Sequence, residues 1–471
     1  MSVRKVLINS VWFGVIPKLS TFINMLILPI ITPYLTASDF GTWGVISGYV
    51  SIFTSVSSLG LYVHLTNSYY EYRKYFRLIW SRLLFLILVA SLICSIILFL
   101  IIYTSIDYLP NSVRILTSCL SVFPVLFSGN QLLAEHLFTL RAIPKPLVLR
   151  NLFASISGIV CSFVMIYYLN LGFIGFICGA AVNAFLAFVS FIPPLWIKEG
   201  LVPIVDHNLK RVKHLLQVSY PAIPHALGFI FLSSSARIVM DWYDIPLENI
   251  GLYTNGYSIG AYINIITGAT VTAIVPQIQI AYRNADYQRF RKLYYFCQVV
   301  TMISIIAFVV WMPEIYDLLI HNEELKKIIE ISQYSCFANA VYPFYVFLST
   351  FTFIEKKTSQ LLWLVFFPGV LNVTLCVILI PLLGYKIAVF TTIVSYWSQL
   401  FIPMFVTFHH VNTKKWLKMN QIIFIFLFLL ICMITSQFTS HLNMILKVMF
   451  SIILAVITCC YLKDVAKNKV V

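Results

Sequence analysis

The stretch LIWSRLLFLILVASLICSIILFLIIYT, residues 78–104, decides the fold, because it runs for 27 residues with a single charge, Arg82. A bilayer core is about 30 Å thick and a helix crosses it in about 20 residues, so this segment reads as one membrane crossing. Comparable apolar runs recur from Asn9 to Tyr461. They give fourteen candidate helices at 9–33, 43–66, 78–104, 113–138, 149–169, 172–197, 214–240, 251–281, 293–313, 330–354, 361–383, 385–408, 421–438 and 443–462. Charged residues make up 10% of the 471 and hydrophobic ones 60%, whereas a soluble domain carries about 25% charged residues. Backbone groups in lipid must bond within their own segment, and runs this long exclude strands. The expected fold is an all-α polytopic membrane protein with no separate soluble domain.

Orientation follows from the basic residues. Counting loops alternately from the N-terminus, 25 of the 32 Lys and Arg fall on one side. The other side holds only Arg114, Lys326, Lys327 and Lys386, and Lys18, Arg237 and Lys447 lie inside spans. The positive-inside rule then puts both termini in the cytoplasm. The net charge of +15 is explained by this bias and by anionic lipid headgroups rather than by nucleic acid, since the basic residues are scattered over short loops. The first span begins like a signal peptide but has no small-residue cleavage site, so it is expected to be retained. All ten cysteines, Cys94 to Cys460, fall in predicted spans without a CxxC pair. They read as packing residues, and no metal or cofactor is expected.

The chain carries a weak internal repeat. Ser38-Asp39-Phe40-Gly41-Thr42-Trp43-Gly44 follows the first span and Glu248-Asn249-Ile250-Gly251-Leu252-Tyr253-Thr254 the seventh, with Gly41 and Gly251 210 residues apart. Gly172 and Gly384 stand 212 apart between spans five and six and spans eleven and twelve. Pro17-Lys18 answers Pro224-His225 at an offset of 207, and Leu137–Leu140 answers Thr350–Phe353 at 213. The reading is two six-helix lobes, 1–197 and 214–410, a cytoplasmic linker 198–213, and two accessory helices with a tail in 411–471. An even number of helices per lobe relates the copies by a pseudo-twofold along the membrane normal, as in alternating-access transporters.

Asn9-Ser10-Val11-Trp12-Phe13-Gly14, Leu28-Pro29-Ile30-Ile31-Thr32-Pro33-Tyr34-Leu35 and Asp39-Phe40-Gly41-Thr42-Trp43 resemble the start of bacterial polysaccharide exporters of the O-antigen flippase type. Ser219-Tyr220-Pro221-Ala222-Ile223-Pro224-His225 with Gly251-Leu252-Tyr253 is similar to the start of that family's second lobe. The likeness covers about 400 residues. The wider superfamily includes the multidrug and toxin extrusion transporters and the lipid II flippase. The resemblance implies a two-by-six helix architecture and an undecaprenyl-pyrophosphate-linked oligosaccharide, moved from the cytoplasmic to the periplasmic leaflet. It also implies contact with other polysaccharide assembly proteins. Ala236-Arg237 stands where family members often carry Asp-Arg late in the seventh helix, which removes an acid from that position.

A charge inside a span costs about 3 kcal/mol on insertion scales, so such residues are site candidates. Lys18 is either a snorkelling or internally paired lysine, or a cavity cation for pyrophosphate or an acidic sugar. The resemblance favours the second, since the lipid II flippase also has a basic residue in its first helix. Asn24 lies in the same span. Arg237 follows Ser233, Ser234 and Ser235 and can either hold a phosphate with its fork or bridge to Asp241 one turn on. His225 is a candidate proton carrier or a packed histidine. Asn130, Gln131, Glu135 and His136 cluster in the fourth span; Glu135 either forms a gate with Arg141 or Arg82 or lies at the interface. Tyr257 and Asn264 belong to a glycine-rich, hydroxyl-rich eighth span that suits sugar hydroxyls or close helix packing.

Pro17 and Pro224 occupy matching repeat positions and are candidate hinges, alongside Pro29, Pro221, Pro276, Pro343 and Pro368 inside predicted spans. No Walker A loop, HExxH or GxSxG is present. The loops are short, which argues for a transporter rather than a membrane polymerase or ligase. A multidrug extruder of the same fold is the nearer alternative.

Overall fold

The computed structural model describes residues 12, 16–206, 208–219, 222–354, 359–401, 427, 430, 431, 433 and 443–452. Among these residues every regular element is a helix. The chain divides into two compact units, Met1–Gly251 and Leu252–Val471.

The first unit holds α1 (Lys18–Ile31), α2 (Ala37–Ser57), α3 (Tyr62–Glu71), α4 (Phe76–Ser105), α5 (Asn111–Ser121), α6 (Phe123–Leu126), α7 (Ser128–Leu140), α8 (Pro144–Tyr167), α9 (Phe173–Ile192), α10 (Leu209–Ser219) and α11 (Ala222–Trp242). The helix α12 (Leu247–Ala261) runs from the first unit into the second. The second unit continues with α13 (Ile263–Arg283), α14 (Tyr287–Val310), α15 (Met312–Leu319), α16 (Glu323–Lys326), α17 (Ile329–Ala338), α18 (Tyr342–Ile354), α19 (Ser359–Leu383) and α20 (Ile387–Ser398). Among the described residues nine helical segments are long and apolar enough to cross a membrane, and Ile387–Ser398 is a shorter apolar helix. The thirteenth expected span, 421–438, and Pro221 lie outside the described residues or nearly so.

Proline explains where the structure breaks the expected spans. Pro124 stands in the first turn of α6 and divides 113–138 into three pieces. Pro343 follows the first residue of α18, after a 3-10 turn at Asn339–Val341, and splits 330–354. A proline has no N–H to give, so it is at home in the first turn and breaks the helix that precedes it. For the same reason the expected mid-span Pro17 is the residue before α1, and Pro224 stands in the first turn of α11.

The helix α4 shows how the sequence meets lipid. Leu92, Ile93, Ile96, Ile97 and Leu100 form one exposed stripe, while Leu83, Leu84, Ile87, Leu98 and Ile102 are buried. The spacing of three and four is that of a helix with one face in the protein and one in hydrocarbon. The buried face joins Leu61, Leu65, Leu133, Leu137 and Phe191 around Trp80, whose indole donates to Ser68 Oγ at 3.0 Å.

The repeated motifs have definite backbone roles. Thr36 and Asp39 form a capping box that starts α2: Asp39 N donates to Thr36 Oγ1 at 3.1 Å, and Thr36 N donates to Asp39 Oδ2 at 2.9 Å. The other oxygen of Asp39 accepts from Phe173 N at 2.9 Å, so the same carboxylate ties down the start of α9. A Cβ at Gly41 would strike the carbonyl of Leu247, and one at Gly251 the carbonyl of Ala37. Adding 210 to Ala37 and Gly41 gives Leu247 and Gly251, so the crossing is reciprocal, as an isologous contact requires. Gly172 and Gly384 both take positive φ, 53° and 81°, in the turn before a helix. Glycine reaches that region at no steric cost.

Candidate functional site

The helix α7 sorts Asn130, Gln131, Glu135 and His136 onto three sides. Asn130 is fully buried in packing: its Nδ2 donates to Phe188 O at 3.2 Å and its Oδ1 accepts from Trp196 Nε1 at 3.1 Å. His136 stacks on Tyr62, with ring centroids 6.1 Å apart. Gln131 and Glu135, one turn apart, face a cavity of about 410 Å³. Its walls come from α7, α8, α9 and the start of α1, and its polar lining includes Ser20, Gln131, Glu135, Asn151, Ser155 and Asn183. Gln131 Nε2 donates to Glu135 Oε1 at 3.1 Å. Asn151 Oδ1 is closed off from the surface and accepts no hydrogen bond.

The space is of small-molecule size, since ligand pockets hold about 300–1,000 Å³. Lys18 stands in the chain between two lining residues, Pro17 and Ser20, and is half-buried. Among the described residues no carboxylate pairs with it.

A second polar group joins α2 to α11. Tyr49 donates to Asp241 Oδ2 at 3.3 Å and accepts from Trp242 Nε1 at 3.1 Å, while Thr42 and Tyr108 share a 3.1 Å hydroxyl contact. These residues surround a void of about 10 Å³, about the size that admits one water. Arg237 is half-buried one turn before Asp241, and Ser233 and Ser234 touch through their hydroxyls at 3.4 Å.

Within the first unit the segment that follows α9 is held by ion pairs to the ends of α4 and α7. Arg141 holds Glu199 with both nitrogens, at 2.6 and 2.9 Å, and Arg77 adds a third bond at 3.1 Å. The two guanidinium groups hold the Glu199 carboxyl below its ordinary range, and Glu199 in turn raises Arg141. Arg82 lies 3.7 Å from Asp206, and Ile204 N donates to Ser81 O at 3.1 Å. In this conformation Glu135 accepts from Gln131 and bonds to neither Arg141 nor Arg82. Both arginines pair with acids of the segment after α9, Arg141 with Glu199 and Arg82 with Asp206.

A family model described as "Polysaccharide biosynthesis protein" matches residues 6–281, more than half of the 471. The chain belongs to this family. The lipid II flippase MurJ, in an inward closed conformation, has a similar fold, with TM-score 0.69 and 14% identity over 99% of this chain and 100% of that one. An inward-facing multidrug resistance MATE family transporter of the MOP superfamily gives 0.62 and 16% over 84% and 95%. A MOP superfamily transporter from Pyrococcus furiosus gives 0.51 and 16% over 86% and 95%. At such identities the likeness is one of fold. No curated protein matches by sequence.

In this polysaccharide biosynthesis protein the structure brings Pro17 and Glu135 to one cavity, with Lys18 beside it. It sets Arg237 and Asp241 on α11 and Asn24 on an exposed face of α1. His225 packs edge-on against Phe229 at 5.6 Å, and its Nε2 has no hydrogen bond. Tyr257, expected in a cavity, is buried, stacked on Tyr253 at 5.9 Å and bonded to Tyr396. Its hydroxyl is taken up by helix packing. Asn264 Oδ1 accepts from Thr267 at 3.5 Å within its own helix. The sequence reading missed Ser20, Thr139, Asn151, Ser155 and Asn183. Their signal is the spacing of four in Gln131, Glu135 and Thr139 and in Asn151 and Ser155, a polar stripe on one face of an apolar helix.

Proposed function

We infer that this multi-pass membrane protein is a flippase for an undecaprenyl-pyrophosphate-linked oligosaccharide, an O-antigen or similar repeat unit, in the cytoplasmic membrane. The observation that carries the reading is a polar cavity of about 410 Å³ walled by membrane-crossing helices in a member of a polysaccharide family. Such a cavity lets a hydrophilic headgroup pass while the lipid tail stays in the bilayer. Lys18 and Arg237 are the cations that meet the pyrophosphate, and Asn24, His225 and Asn264 are lesser candidates. The halves 1–197 and 214–410 alternate access about the linker 198–213, with 411–471 as an accessory segment and both termini cytoplasmic. Other polysaccharide assembly proteins supply and consume the repeat unit.

One observation favours a second reading, export of cationic small molecules: the ionisable group inside the cavity is an acid, Glu135. Deleting the gene in its host separates the two. The flippase reading expects loss of surface polysaccharide, cytoplasmic-leaflet accumulation of the lipid-linked unit, and failed rescue by Lys18→Ala or Arg237→Ala. Normal polysaccharide with raised sensitivity to cationic drugs would establish the second.

A further inference from the structure

We propose that the cavity beside Pro17 seats the saccharide part of the substrate and selects sugars rich in hydrogen-bond donors over sugars that carry a carboxylate. This rests on the flippase reading and adds a division of labour within the headgroup.

The selection follows from the charge of the lining and from its unsatisfied acceptors. Among the described residues Glu135 is the one ionisable residue of the lining, and an ionised carboxylate only accepts. The amide nitrogen of Gln131 already donates to it at 3.1 Å, which leaves the amide oxygen for a ligand. Ser20 Oγ donates to Pro17 O at 3.0 Å and so presents lone pairs. Asn151 Oδ1 is buried and accepts from nothing, a state that a ligand donor relieves. Glu135 and the buried Asn151 Oδ1 are thus the acceptors of the lining that an N–H or O–H of a ligand would satisfy.

Lys18 stands beside the cavity and is left for the pyrophosphate, and the other nearby bases among the described residues are engaged elsewhere. Arg150 donates to Ser190 O at 3.0 Å and Pro146 O at 2.9 Å, Arg141 holds Glu199, and Lys145 lies 5.6 Å from the Trp12 ring. A carboxylate in the cavity would face Glu135 with no counter-charge among the described lining residues, and like charges brought together repel. Sugar hydroxyls and acetamido or ammonium N–H groups fit the same acceptors, with Leu147 and Leu152 against the sugar's C–H faces. A bound metal ion would leave most of about 410 Å³ empty, so the occupant is organic. The pyrophosphate stays outside, toward Lys18.

The test uses the full-length protein in lipid nanodiscs and three probes read by native mass spectrometry: bare polyprenyl pyrophosphate, the same lipid bearing N-acetylglucosamine, and the same lipid bearing glucuronic acid. Wild type should bind the N-acetylglucosamine lipid at least about tenfold more tightly than the glucuronic acid lipid. Glu135→Gln keeps the shape and removes the charge, and should bring the two within about twofold while bare-lipid binding is unchanged. Asn183→Asp, a second near-isosteric change, should widen the gap. Equal binding by wild type, or a gap that Glu135→Gln does not narrow, overturns the inference and leaves the flippase reading standing. Failure of wild type to bind bare polyprenyl pyrophosphate overturns both.

Discussion

The helices α7 and α12 carry similar residues, small and polar groups in an apolar setting, and the structure uses them in opposite ways. On α7 the stripe Gln131, Glu135 and Thr139 stays open to a cavity. On α12, Gly256 and Gly260 let α17 come so close that Ser332 donates to Gly256 O at 2.7 Å and Cys336 to Gly260 O at 3.5 Å. A polar residue in a membrane helix is thus a site candidate only where a neighbouring helix has not already taken its hydrogen bonds. Small residues at such seams allow close backbone approach and give no sign of a ligand.

The largest test of this contrast is Gly260→Val. A Cβ there would overlap Ser335 Oγ and lie 2.5 Å from Ser332 O. Forcing the seam apart should cost about 3 kcal/mol or more. Thermal unfolding in detergent should show most of the folded population gone, whereas Thr139→Val on the open stripe should leave the melting curve in place.

Next in size is Glu199→Gln, which leaves Arg141 and Arg77 with a neutral partner and should cost about 2 kcal/mol at neutral pH. The sign of the pH dependence follows from the direction of the shift. Glu199 is held below its ordinary value of 4.5, so its contribution is full above that value and is lost as pH falls through the lower folded-state value. Wild type should lose stability below about pH 4.5 more steeply than Glu199→Gln, measured as Tm against pH. Parallel curves would mean that the clamp adds nothing.

Tyr49→Phe removes one acceptor and one donor between α2 and α11 and should cost about 1 kcal/mol. A shift no larger than that of a surface control would show that water replaces both bonds. Smallest of all, Glu135→Gln should change stability by less than about 0.5 kcal/mol, because the side chain faces a cavity. A large drop would mean that Glu135 is a packing residue, and the contrast with α12 would fail.

Much of the helical architecture was legible because lipid leaves a long apolar run few alternatives, and the run 78–104 became α4 within two residues at each end. Breaks such as Pro124 were missed because a first-turn proline and a mid-span proline look alike in a sequence. The candidate site was half legible. Glu135 stands out as a charge, but Asn151 and Asn183 are neutral residues whose importance comes from the space beside them, and space is set by how α7, α8 and α9 pack. Tyr257 shows the opposite error, since nothing in the sequence says that Tyr253 and Tyr396 close over it.

Lys447 donates to Glu314 at 2.7 Å and is only 3% exposed, in a helical stretch at 444–452. The chain is made from its N-terminus, so Glu314 leaves the ribosome 133 residues before its partner. A lysine inside a helix also inserts at a cost of about 3 kcal/mol unless something receives it. The pair therefore ties the last described helical stretch to α15 only once the chain has been made through Lys447.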